Sequence, residues 1–158
     1  MPGTGRRWPN DQCRGCDCRR SRRPWRTRTV FQSSSHRLMH ILTTIGPENS
    51  TKAVLPFISG KGAMSRGEKI AMFAMQEATY LGAPSHADLS ELKAPGLPTV
   101  EAVLGELRDG GALNEFVVCE PCAKARGIEE TDLARWATFG GAGDLARQAA
   151  EHDASLTF

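Results

Sequence analysis

Nowhere in the 158 residues is there an apolar run long enough to span a bilayer as a helix, so a transmembrane segment is excluded. The N-terminal region also lacks the apolar stretch of a secretory signal, which makes a reducing cytoplasm the expected compartment. Familiar catalytic motifs are missing as well. No G-x-S-x-G nucleophile elbow occurs, and the four His are scattered. Ser59-Gly60-Lys61-Gly62 resembles a phosphate loop, but the pattern needs Gly where Leu55 stands and Ser or Thr where Gly62 stands. An excess of one charge is lacking too, because 20 basic and 18 acidic residues leave a net of +2.

That average conceals a division. Residues 1–38 carry ten Arg against two Asp, a net of +8, whereas residues 39–158 carry ten Lys or Arg against sixteen Asp or Glu, a net of −6. A charge asymmetry of this kind marks a boundary between a basic tail and an acidic domain. The cysteines divide at the same place, with Cys13, Cys16 and Cys18 in the tail and Cys119 and Cys122 in the domain. Five Cys at irregular spacing make a poor disulfide framework.

The tail is dense in Arg and has no sustained apolar period, so it cannot bury enough surface to offset its ordering entropy and is expected to be disordered. Its three Cys have metal-like spacing, yet the nearest fourth ligand is His36, too distant for a zinc knuckle. Its Arg residues suit phosphate contacts, and Trp8 and Trp25 suit base stacking, but no folded scaffold aims them. Nucleic acid is therefore not the expected partner. The composition also resembles a transit peptide, against which stand the Cys cluster and the missing amphipathic period. Met39 precedes the first strand-like segment and offers an alternative start, so the working protein is expected to be residues 39–158, with or without the tail.

From residue 40 the chain alternates strand and helix signals. His40 to Ile45 is a short β-branched run stopped by Gly46-Pro47, and Lys69 to Met75 and Phe116 to Cys119 are further strands. Asn49, Ser50 and Thr51 are capping residues ahead of a helix that Pro56 kinks or restarts. Ala78 to Leu81 is a short structured piece. Pro98 suits the first turn of a helix whose Val100, Val103, Leu104 and Leu107 share one face, with Gly110-Gly111 as its stop. A helix begins at Ala123 to Arg126, residues 129–138 and 142–152 have helical patterns with a short strand around Trp136 to Phe139, and Ser155 to Phe158 closes as a strand. Short strands separated by helices predict a parallel sheet with right-handed crossovers in an α/β sandwich. Ligand chemistry in such a sheet belongs at the carboxyl ends of strands, here Thr44 to Ser50 and Cys119 to Cys122.

Cys119-Glu120-Pro121-Cys122 is the sharpest chemical feature. Placed between a strand and a helix, Cys119 is expected near the N-cap, where backbone N–H groups and the helix dipole lower a thiol pKa. Arg126 and Lys124 would add positive potential and Glu120 would oppose it. Arg126 is a supporting candidate, and the hydroxyls of Thr43 and Thr44 are candidate donors to a sulfur-borne ligand. Tyr80, the only Tyr, is expected to pack in the core with its polar tip free. A structural metal is not expected, since His40, His86 and His152 lack paired spacing. The C-x-P-C spelling invites a thioredoxin-like reading. Against it, only 36 residues follow Cys122 and none is Pro, whereas the thioredoxin fold places the motif early and packs a cis-proline on its sulfurs.

Four segments together resemble the DsrE/DsrF-like family: ILTTIGPENSTKAVLPF, KAPGLP, VVCEPCAKARGI and the terminal SLTF. The resemblance covers residues 39–158, is strongest to the branch often labelled predicted peroxiredoxin, and takes in none of the tail. It implies a flavodoxin-like three-layer α/β fold with a mostly parallel sheet of about five strands, assembled as homotrimers or homohexamers. The family's relay members carry sulfur as a persulfide on a cysteine eight residues before the Gly of an Arg-Gly pair. Arg126-Gly127 here places that position at Cys119. Cys122 stands where those members usually have Ala, which opens a resolving role for it or mere packing. The expected activity is that of a cysteine persulfide carrier in sulfur transfer, sulfurtransferase-like and without a cofactor, working between a donor and an acceptor thiol protein. The alternatives are a thioredoxin- or peroxiredoxin-like redox protein and a non-catalytic assembly subunit.

Overall fold

A computed structural model describes residues 37–158. The basic tail, with Cys13, Cys16, Cys18, Trp8 and Trp25, lies outside the described residues. Five strands form one sheet: β1 (Leu38–Thr43), β2 (Lys69–Ala74), β3 (Leu113–Cys119), β4 (Thr138–Gly140) and β5 (Ala154–Thr157). Their order is β4-β3-β2-β1-β5, and every pairing is parallel. Five helices accompany them: α1 (Ser50–Ala53), α2 (Leu55–Ser65), α3 (Val100–Asp109), α4 (Glu120–Lys124) and α5 (Ala142–Glu151).

Topology follows from the handedness of crossovers. The chain steps from β1 to β2 to β3 to β4 in one direction, so right-handed connections place α2 and α3 on one face. The return to β5, beside β1, runs the other way and places α5 on the opposite face. Side-chain alternation agrees. Ile41, Met72, Ala74, Phe116 and Val118 pack into the main core with Phe57 of α2 and Leu104 and Leu107 of α3, while Phe73, Val117 and Cys119 face the smaller cluster that includes Leu145 of α5.

Local sequence accounts for most elements. Asn49 caps α1 by accepting from the Lys52 N–H at 3.1 Å. Pro56 falls at the second position of α2, where its missing donor costs nothing, so the expected kink takes the form of a restart between α1 and α2. Gly60 lets α2 approach closely, since a methyl there would meet Ile70 and Leu107. Val100, Val103 and Leu107 of α3 are completely buried.

Three expectations need correction. The first strand ends at Thr43 and starts earlier than His40, because Gly46 and Pro47 are preceded by an irregular link that leaves the sheet at Thr44. Pro98 lies outside α3, whose N-cap is Thr99, with its hydroxyl accepting from the Ala102 N–H at 3.2 Å. Residues 129–138 form no α-helix. Gly127 turns the chain at φ +73, Ile128 is completely buried, and the Asp132 carboxylate accepts from the Glu129 N–H at 2.9 Å to close a single 3₁₀ turn over Glu130–Asp132. The pairing of Phe116 with Trp136, edge to face at 5.1 Å, then carries the segment into β4.

Candidate functional site

Cys119 is the last residue of β3 and the N-cap of α4, and Cys122 follows one turn later. Both are free thiols, Cys119 buried and Cys122 half-buried. Around Cys119 are Phe73 and Val117 in the sheet, with Leu42, Met75, Leu145 and Cys122 partly covering them. The thiol therefore lies in an apolar cluster at the carboxyl edge of the sheet.

This burial reverses one expectation. Burial pushes the Cys119 thiol above its ordinary value, and the neighbouring Cys122 thiol pushes the same way. Two influences oppose them: the Cys122 backbone N–H beside the sulfur and, more weakly, Arg126. α4 has only five residues and no side-chain cap, so its dipole is too small to overcome desolvation. Cys119 is thus less acidic than an ordinary thiol.

Arg126 sits beside the turn but is not aimed at a sulfur. One arm of its guanidinium donates to the Cys122 carbonyl at 2.9 Å, satisfying a free oxygen of α4, and the other donates to Glu77 at 2.6 Å and Gln76 at 3.3 Å. Its pKa rises above the usual value, first through the hydrogen bond to Glu77. Lys124 is paired with Glu120 at 2.6 Å. Both cations expected to favour a thiolate are therefore balanced by carboxylates.

The two threonines do not meet the cysteine turn. Register pairs Thr43 with Ala74 and Ala74 with Val118, which puts its side chain on the face opposite Cys119. Its hydroxyl is buried and has no hydrogen-bond partner among the described residues. Thr44 donates its hydroxyl to the Phe158 carbonyl at 3.1 Å and holds the end of the chain against β1. Tyr80 is half-buried and packs against the core, as expected, with His86 6.4 Å away ring to ring.

Gln76 and Glu77 carry no motif. They stand at the carboxyl end of β2, between the two strand ends singled out from the sequence, and applying the strand-end rule to β2 would have found them. Among the described residues no three His, Cys, Asp or Glu side chains gather as a metal-binding group. No helix there is long and apolar enough to cross a membrane. A cavity of about 770 Å³ beside α3, lined by His86, Leu104, Arg108 and Trp136 among others, shares no residue with the cysteine turn.

Comparison with known proteins agrees with this architecture. The ychN protein from E. coli has a TM-score of 0.59 at 18% identity, the match covering 78% of this chain and 99% of that one. A protein of unknown function, MTH1491 from Methanobacterium thermoautotrophicum, has a TM-score of 0.56 at 16% identity, with the same coverage of 78% and 99%. At such identities the likeness is one of fold. No curated protein matches the chain in sequence. The family profile that matches extends over residues 38–158, every element of the sheet and the cysteine turn included, and by that match the chain belongs to the DsrE/DsrF-like family.

Proposed function

We propose that the protein is a carrier of sulfane sulfur, with Cys119 as the residue that holds it. The observation that supports this reading is the placement of Cys119, a thiol at the carboxyl end of a parallel strand, set in an apolar cluster, with a second thiol one turn away. Membership in a family linked to sulfur relay supports it further.

In the proposed step Cys119 loses its proton to solvent, and the thiolate attacks the outer sulfur of a donor persulfide R–S–SH. The donor S–S bond breaks, R–S⁻ leaves, and Cys119–S–SH remains. An acceptor thiolate then attacks the outer sulfur and takes it, returning Cys119 as thiolate. Electrons and atoms balance without an external oxidant. Donor and acceptor are thiol proteins in this reading, the carrier works in the cytoplasm as a homotrimer or homohexamer, and residues 39–158 form the working domain.

A second reading is supported by the placement of Cys122 one turn after Cys119, with both thiols free. Cys122 then attacks the inner sulfur of Cys119–S–SH, releasing H₂S and leaving a Cys119–Cys122 disulfide that a thiol reductant must reopen.

Treatment with inorganic polysulfide, trapping with an alkylating agent and peptide mass spectrometry separate the two. Wild type and Cys122→Ser are expected to gain one sulfur atom on Cys119, and Cys119→Ser none. If wild type gains none while Cys122→Ser gains it, the disulfide reading replaces the carrier reading. If neither gains sulfur, both fall.

A further inference from the structure

The carboxyl end of β2 contributes no recognisable motif, yet every contact that ties Arg126 to another strand ends there. Gln76 has φ +52, a left-handed conformation that residues with a Cβ rarely adopt. Its carbonyl accepts the Thr79 hydroxyl at 2.7 Å, which closes the turn and presents the Gln76 and Glu77 side chains to Arg126. On its other side the turn is wedged against the link after β1, where a methyl on Gly46 would overlap the Glu77 carbonyl. Gly46 is itself held by the Glu48 carboxylate, whose oxygens accept its N–H at 3.0 Å.

Arg126 spans the gap between this turn and α4 as a planar fork, one arm on Glu77 and one on the Cys122 carbonyl. Its side chain is 19% exposed, against 44% for Glu77. The guanidinium therefore has a fixed place, and a lysine could not bridge both partners with the same geometry. The carboxylate that fixes it also offsets its charge beside the cysteine turn.

We propose that Glu77, seated by Gln76 and Gly46, is a positioning residue for the cysteine turn: it holds Arg126 against the Cys122 carbonyl and moderates the positive charge that the two sulfurs feel. It acts through Arg126 and touches no reacting atom. The functional importance of this device rests on the carrier reading, whereas the device itself is tested on thiol reactivity alone.

The test is the pH dependence of iodoacetamide alkylation at Cys119 and Cys122, resolved by peptide mass spectrometry on the full chain, with polysulfide loading measured in parallel. Glu77→Gln leaves the Arg126 charge unbalanced and is expected to lower the alkylation midpoint by about half a pH unit or more, a rise of about threefold in rate at pH 7. In an Arg126→Gln background the same substitution is expected to shift the midpoint far less. Unchanged midpoints in Glu77→Gln, with only the melting temperature altered, overturn the proposal. A full shift that persists without Arg126 also overturns it, because Glu77 would then act on the sulfurs directly. Glu77→Asp keeps the charge but withdraws it by one methylene, so a smaller shift of the same sign is expected, and its absence counts against the proposal if Glu77→Gln does not fold. Failure of polysulfide loading with the expected midpoints would remove the carrier reading and leave the positioning role standing.

Discussion

Replacing Gln148 by Met should make the protein more stable. Gln148 lies on the sheet-facing side of α5 and is completely buried, and neither its amide oxygen nor its nitrogen has a hydrogen-bond partner among the described residues. Its neighbours are polar too. His40 is 1% exposed, with Nδ1 against the Ser155 hydroxyl at 3.0 Å and Nε2 unpartnered, and His152 stands 6.1 Å from it ring to ring. The Gln148 amide helps hold Glu115 ionised but does not make a well-formed bond. A buried polar group without a partner costs roughly 1–3 kcal/mol, and Met fills a similar volume without that penalty. After the lost support of Glu115 is deducted, a net gain of about 1 kcal/mol is expected. For a domain of this size that is about 3 to 5 °C in melting temperature. Urea titration at pH 7 measures it, with an unchanged slope required so that the midpoint reports stability alone. A neutral or destabilising result would refute the reasoning. It would mean that the amide is satisfied, by internal water or by Glu115, and that the layer under α5 is a complete polar network.

Further tests address the same face and the main core. The pKa of His40 is lowered by burial first and by His152 second, with Glu115 opposing. Its unfolded state therefore binds more protons below the ordinary value of 6.5, so the stability contribution is complete above that pH and is lost as pH falls. Denaturant midpoints between pH 7 and pH 5 should drop in wild type and drop less in His40→Gln. Cys122→Ala removes the thiol that pushes Cys119 upward and keeps the backbone N–H, so the Cys119 alkylation midpoint should fall toward the ordinary thiol range. Gly82→Ala places a methyl against Val118 and Phe116 in a filled core and should cost about 1–3 kcal/mol by urea titration.

What could be read from the sequence depended on whether a signal was local. β2 was legible because Ile70, Met72, Phe73 and Ala74 are buried on both faces of the sheet and form one apolar run. α3 was legible because its buried residues repeat at helical spacing and a threonine caps it. Residues 129–138 misled because their helical pattern was weaker than the constraint set by Gly127 and the Glu129–Asp132 turn, which lies outside any periodicity. The position of Cys119 was legible from a strand followed by Pro121 near the start of a helix. Its protonation was not, since Leu42, Phe73 and Leu145 come from three other elements. The left-handed backbone of Gln76 carries no sequence mark, although its place at the end of β2 was open to the strand-end rule.

The raised thiol pKa alters the chemistry less than it first suggests. A raised pKa leaves less thiolate at neutral pH. The nucleophilicity of each thiolate rises with its basicity, with a Brønsted slope of about 0.4–0.5, so a little under half of that loss returns on a logarithmic scale and a net loss in rate remains. Against it stands a gain in selectivity: oxidation also follows thiolate character and exposure, and Cys119 is 7% exposed behind apolar side chains. Arg126 and Lys124 are matched by Glu77 and Glu120, so no unbalanced cation among the described residues beside the turn draws small anions to the sulfur. On the carrier reading proposed above, a site built this way would favour a partner that brings its own reactive sulfur over the oxidants that consume an exposed, acidic thiol.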